Sequence, residues 1–413
     1  MKNNHSFFKP NLILASILAS QALSFNALAD TGPKCRVYKA ARIFDGDMLH
    51  TDSSIMTKKG KVKQVGSINE FDGLCAKEMD LGDSTILPGF IESHAHVTFQ
   101  NVSKDVVLKH GVTTVRDTGG ALHFPEGGKG QLRLLSSGPI LQATGGYPNN
   151  LFGGGDGDSH HATDIVAFEA DTPAEGIHLV NHFAEAGAVV IKVALEPGGE
   201  HGAPWSSGGH GHDTGSDTPW PIMEQDTVNA IVEQAHALGL KVTAHVGENT
   251  GVERALDANV DEFAHLPCAE IDPALLQRAV DQGVKMVTTL DTLSDCHGID
   301  VNTHILTHKG ADFIYGSEIG HNDVPWGINA EEMHRILHLT SGESIDFNDV
   351  LNVFRSATSK AGENLGIPGL GTLTEGAPAD IIAVKGNPFV KFKPLEYPDL
   401  VISGGKVVVN NFK

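Results

Sequence analysis

Val228-Asn229-Ala230-Ile231-Val232-Glu233-Gln234-Ala235-His236-Ala237-Leu238-Gly239-Leu240-Lys241-Val242-Thr243-Ala244-His245-Val246 changes its period partway along. Val228, Ile231, Val232, Ala235 and Leu238 recur at helical spacing and Gly239 closes them; residues 241–246 then read as a short strand. The pattern repeats downstream. Residues 262–264 are strand-like, Asp272 caps a helix with Pro273 at its first position, and Leu275, Leu276 and Ala279 form its stripe. Gly283 stops that helix before a further strand-like run at 285–289. Apolar runs at 85–91, 113–115, 140–143, 189–195 and 313–315 complete a set of eight. Strands alternating with helices across 84–369 predict an α/β fold, specifically a (β/α)8 TIM barrel. No Gly-rich dinucleotide fingerprint follows the first strand, which argues against a doubly wound sheet.

Working outward, the flanks are β-rich. Arg36-Val37-Tyr38, Ser54-Ile55-Met56 and Lys61-Val62-Lys63-Gln64-Val65 lie on one side, Asp380-Ile381-Ile382-Ala383-Val384 and Lys406-Val407-Val408-Val409 on the other. Each piece is too small to bury a core alone. Residues 30–83 and 370–413 are therefore predicted to pair into one small β-sandwich domain. Residues 1–29 read as a signal peptide: Lys2 and Lys9 precede an apolar stretch at 12–23, too short to span a bilayer, and Ala27-Leu28-Ala29 stands before Asp30. That places the chain in the periplasm or outside the cell. Four cysteines then suggest two bridges. Cys35 with Cys75 and Cys268 with Cys296 is the expected pairing; the other two pairings stay open on sequence alone.

The chain of 413 residues carries 30 Lys+Arg against 51 Asp+Glu, a net charge of -21 that argues against nucleic acid and anionic membrane surfaces as partners. Homo-oligomerisation is compatible with the sequence. The 22 histidines ask for a chemical reason. Some lie in two Gly-rich insertions, 145–161 and 197–220, which read as lids or binding loops.

The strongest chemical signal is Leu87-Pro88-Gly89-Phe90-Ile91-Glu92-Ser93-His94-Ala95-His96. Residues two apart on a strand point the same way, so His94 and His96 present two imidazoles to one point at a strand end. Lys192 sits inside the apolar run 189–195, where a charged amine is costly. Burial there lowers its pKa and allows it to take up CO₂ as a carbamate. His245, His265 and Glu318 each end a later strand. Tyr147, Arg116 and His321 are candidate substrate contacts.

This constellation resembles the amidohydrolase superfamily, in its imidazolonepropionase-like and Xaa-Pro dipeptidase-like branch. Pro88-Gly89-Phe90-Ile91-Glu92-Ser93-His94-Ala95-His96 is similar to the family's first-strand metal motif, and Gly111-Val112-Thr113-Thr114-Val115-Arg116-Asp117 to its second strand. Leu370-Gly371-Thr372-Leu373 through Gly376-Ala377-Pro378-Ala379-Asp380 is similar to its return to the β domain. The resemblance implies two divalent metal ions, with Zn²⁺ suiting the histidines. His94 and His96 would hold one, His245 and His265 the other, and carbamylated Lys192 would bridge them. Glu318 would act as acid/base and touch the metal. The implied reaction is hydrolysis of a carbon–nitrogen bond in a small molecule: a dipeptide, an N-acyl amino acid or a cyclic amide. Two positions depart from the pattern. Glu92 replaces the usual Asp, and Gly316-Ser317-Glu318 replaces Gly-Thr-Asp. His245-Val246-Gly247-Glu248 also resembles mononuclear cyclic-amide hydrolases and deaminases, with Glu248 in acid/base work. A third reading is a non-catalytic, zinc-binding periplasmic barrel.

Overall fold

The computed structural model describes residues 35–152, 166–200 and 219–412. Residues 1–34, which include the predicted signal peptide, and the larger part of each Gly-rich insertion (153–161 and 201–218) lie outside the described residues. In chain order the strands are β1 (Cys35–Phe44), β2 (Leu49–Lys58), β3 (Lys61–Ser67), β4 (Lys77–Asp80), β5 (Ser84–Pro88), β6 (Phe90–Ala95), β7 (Val112–Asp117), β8 (Arg133–Ser136) and β9 (Ile140–Gln142). There follow β10 (Ala167–Glu169), β11 (Val190–Leu195), β12 (Lys241–Val246), β13 (Glu262–Phe263), β14 (Lys285–Val287), β15 (Asp312–Ile314), β16 (Ile381–Lys385), β17 (Leu400–Ser403) and β18 (Lys406–Asn410).

The two flanks do pair. They form one eight-stranded sheet ordered β18-β17-β16-β5-β1-β2-β3, with β4 also on β1. A sandwich is predicted from the sequence; here the strands are hydrogen-bonded as a single sheet. The reason is the length of β1, which takes β4 along its first half and β5 along its second. Ile43, Ile55, Ile86, Ile381 and Leu400 fill a core belonging to this sheet.

The centre of the chain is parallel α/β. One sheet has the order β6-β7-β8 and another β10-β9-β11-β12-β13-β14-β15. Ten strands appear where eight are predicted, because β8 and the edge strand β10 are too short and polar to announce themselves. The run at 85–91 also divides. Its first part is β5 in the terminal sheet, its second is β6 in the parallel one, and Gly89 is the break between them. A Cβ on Gly89 would sit 2.2 Å from Thr113 Oγ1, so the crossing needs glycine.

Helices cover the parallel strands as their stripes require. Helix Gln225–Ala237 buries Val228, Ile231, Val232 and Ala235. Leu238, on the same predicted stripe, is the C-cap and stays exposed, since the helical face ends one residue before it. Helix Pro273–Asp281 starts as read, with the Asp272 side chain accepting from the Ala274 amide at 2.8 Å. Disulfides join Cys35 to Cys75 and Cys268 to Cys296. Among the described residues no helix is long and apolar enough to cross a membrane.

Candidate metal centre

Strand ends on the parallel sheets bring the sequence-selected residues together. His94 is the penultimate residue of the wholly buried β6, and His96 follows its end. The Nδ1 of His94 contacts the Ala264 carbonyl, which can only accept, so Nδ1 carries the proton and Nε2 keeps its lone pair. That Nε2 lies 3.4 Å from His96 Nε2 and 3.5 Å from Lys192 Nζ. His96 Nε2 is 3.6 Å from Glu318 Oε1. One ligand atom from each of His94, His96 and Glu318 falls within a 4.8 Å cluster.

Charges in this pocket are tuned by burial. Desolvation, reinforced by the charge of Lys192, holds the His94 imidazole well below its usual range, so it is neutral and ready to ligate. Burial pulls the Lys192 amine down to about 7 against the opposing pull of Glu318. A neutral-capable amine beside two imidazoles and a carboxylate suits a divalent cation far better than it suits an isolated buried charge.

His245 and His265 form the neighbouring pair. His265 Nε2 faces His245 Nδ1 at 2.6 Å, and the His265 ring stands 5.5 Å from that of His94, centroid to centroid. His245 Nε2 points the other way, 3.6 Å from Glu196 Oε2. With Nε2 on the Glu196 side, Nδ1 is directed at the cluster. The donor set fits metal ions: imidazoles, a carboxylate and a depressed-pKa lysine, converging from the ends of several strands.

Other carboxylates hold the frame. Glu92 accepts from the His94 amide at 2.9 Å and from the Ser317 hydroxyl at 2.7 Å, tying β6 to the turn that carries Glu318. Burial pushes the Glu92 carboxyl up to about 8 despite these donors. Asp117 accepts from the Val97 and Thr98 amides and so sets the loop leaving His96. Gly316 leaves room for this clamp: a Cβ there would meet Val287 Cγ1 at 2.5 Å. Glu318 itself holds φ 60, a left-handed backbone unusual for a glutamate.

The remaining selected residues are placed as follows. The Arg116 guanidinium is committed within the protein, donating Nε–H to the Ser93 carbonyl and pairing with Glu262, both side chains buried. Tyr147 lays its ring against His245, centroids 4.3 Å apart, and burial pushes its hydroxyl pKa upward. His321 lies in the turn after Glu318, its amide donating to the Glu318 carbonyl. Glu248 is buried and accepts from the Glu200 amide at 2.7 Å; burial raises its pKa. Sequence reading missed Glu196, which burial and then the charge of Glu248 push well above the usual carboxylate range. The available signal was its period-two relation to Lys192 on the face of β11.

Residues 85–408 match the Amidohydrolase family. The chain belongs to the amidohydrolase family. It is therefore a hydrolase acting on carbon–nitrogen bonds, from a family that generally binds metal ions. Comparison with curated protein sequences gave no match. Among solved structures, the chain is similar to a Xaa-Pro dipeptidase with bound methionine (22% identity, TM-score 0.70, covering 90% of this chain and 99% of that one). It is similar to a prolidase complexed with N-methylphosphonate-L-proline (20%, TM-score 0.72, 91% and 100%) and to A. niger ochratoxinase (17%, TM-score 0.71, 92% and 96%). At these identities the likeness speaks for the fold.

Proposed function

We propose that this amidohydrolase cleaves an amide bond in a dipeptide or N-acyl amino acid at a two-metal centre, within a closed (β/α)8 barrel. The observation that carries the reading is the convergence of neutral His94, His96, Lys192 and Glu318 beside the His245–His265 pair. Barrel closure is supported by two links between the parallel sheets. The His96 amide donates to the Ile319 carbonyl beyond β15, and the Val189 amide to the Ser136 carbonyl of β8. The dipeptidase and prolidase neighbours favour the dipeptide class over a cyclic amide.

His94 and His96 would hold one ion and His245 and His265 the other, with Lys192 between them after its free amine adds CO₂ and releases a proton. Metal ions there would acidify a water and polarise the scissile carbonyl. Glu318 accepts the proton of the attacking water and returns it to the leaving nitrogen. Its left-handed backbone aims a side chain one methylene longer than aspartate back toward His96. Glu196 orients His245, and Tyr147 shields that imidazole from solvent. The two disulfides support an oxidising compartment, and with it export of the chain.

Metal counting on protein purified without chelator, joined to turnover on dipeptides, N-acyl amino acids and lactams, tests the reading. Two metals per chain are expected. Glu318→Gln should lower turnover by roughly 10²–10⁴-fold with metal content retained. One metal per chain, with full activity in Glu318→Gln and loss in Glu248→Gln, would establish the mononuclear mechanism instead. Bound metal without turnover on any substrate would leave a zinc-binding barrel.

A further inference from the structure

The terminal sheet carries a second concentration of charge, opposite in sign to the molecule as a whole. Three turns meet there, each rich in glycine and each bearing lysine. The β2–β3 hairpin supplies Lys58, Lys59 and Lys61 around Gly60, the loop before β8 supplies Lys129 after Gly127-Gly128, and the β17–β18 turn supplies Lys406 after Gly404-Gly405. Arg36 and Lys77 complete the ring, which borders an open cavity of about 710 Å³ with no carboxylate among the described residues of its lining.

The turns are locked at distances that only glycine allows. A Cβ on Gly405 would stand 2.7 Å from the Gly60 Cα, one on Gly404 2.5 Å from the Lys129 amide nitrogen, and one on Gly60 2.8 Å from the Gly404 carbonyl oxygen. The turns that carry these exposed lysines are thus held against one another by backbone packing.

The arrangement is unfavourable without a counter-charge. Arg36 stands directly opposite Lys77 on paired strands, and Lys58 directly opposite Lys61; like charges in those positions repel. Elsewhere lysines are matched, as Lys104 is by Glu126, Lys360 by Asp312 and Lys385 by Asp399. Among the described residues no carboxylate lies within ion-pair reach of the six lysines around this cavity. The nearby Asp380 is already held by Arg133 at 3.0 Å and by the Gly404 amide at 2.6 Å. Lys59 and Lys129 both sit at φ 53, where asparagine or glycine is the low-strain choice, so lysine is kept there against local preference.

We propose that this cavity binds a small molecule carrying several phosphate groups. Its volume is that of an ordinary ligand site. Ammonium groups act as point charges that suit phosphate oxygens without the planar geometry that carboxylates ask of arginine. The ligand would join the three turns and, through them, both ends of the chain.

The test is calorimetric titration of the full exported chain with inorganic tripolyphosphate at low salt, for wild type and for Lys59→Asn/Lys129→Asn. Asparagine tolerates the left-handed backbone, so the variant should melt at or above the wild-type temperature and hydrolyse substrate at the wild-type rate. Tripolyphosphate should bind on the order of tenfold more weakly to the variant, and more weakly to both proteins as salt rises. Absence of binding to wild type, or equal binding to the two proteins as capture at the metal centre would give, overturns the proposal. Vesicles of phosphatidylcholine with phosphatidic acid identify the source of the phosphate. Sedimentation that depends on the two lysines assigns it to a lipid headgroup; tripolyphosphate binding without sedimentation assigns it to a free metabolite.

Discussion

Replacing Glu262 by glutamine keeps the shape of the side chain and removes one charge from a pair that water does not reach. The Arg116 and Glu262 side chains are 2% and 0% exposed. Arg116 spends its Nε–H on the Ser93 carbonyl, and Glu262 also accepts from Asn364 Nδ2 at 2.8 Å, so each ion has neutral support besides its partner. Breaking such a pair leaves a buried guanidinium uncompensated, at a cost of about 3–5 kcal/mol. Unfolding entropy of roughly 2.1 cal/mol/K per residue, over about 350 ordered residues, gives ~0.7 kcal/mol/K, so the melting temperature should fall by ~4–7 °C. The pH dependence has a definite sign. Burial pushes the Glu262 carboxyl up, but Arg116 and its other donors more than offset this, and it titrates below 4.5. Its stabilisation is therefore complete above its unfolded value and is lost as the pH falls through the lower folded value. Differential scanning calorimetry at neutral pH and at successively lower pH measures both effects, the wild type and variant drawing together as the pH falls. A Glu262→Gln variant that melts within 1 °C (~1 kcal/mol) of wild type at neutral pH would refute the argument.

Three further outcomes follow from the geometry. Lys192→Ala should lose metal and activity together, with partial rescue by added short carboxylates; full metal content in that variant would make the lysine merely structural. Gly89→Ala should destabilise the chain by roughly 1–3 kcal/mol, read from its denaturation midpoint, because the new Cβ has no space beside Thr113. Reducing Cys35–Cys75, whose cysteines are 40 residues apart, should cost about 4 kcal/mol on a chain-entropy estimate. Non-reducing peptide mapping that returned free thiols would set that figure aside.

The sequence was most informative where one element's period was long and its ends were chemically marked. Helix Pro273–Asp281 announced both its cap and its stop, and β12 its whole length. The His94–His96 pair was legible because a strand's alternation converts spacing into direction. Some short elements were not: β8 has four residues and β10 three, too few for any period, and their pairing is decided by neighbours far along the chain. Arg116 illustrates the same limit within the site. Its position beside a strand end suggested a substrate contact, whereas its partners, Ser93 and Glu262, lie on other strands and leave no local trace. Glu196 follows an apolar run at period two from Lys192, and its meaning depends on an imidazole 49 positions away.

The Glu92 clamp also bears on the life of the chain before it is finished. One carboxylate grips the strand of His94 and the turn of Glu318 through contacts 225 residues apart. During synthesis the histidines emerge early and the acid late, so on the proposed function the centre stays incomplete until the turn of Ser317 and Glu318 reaches Glu92.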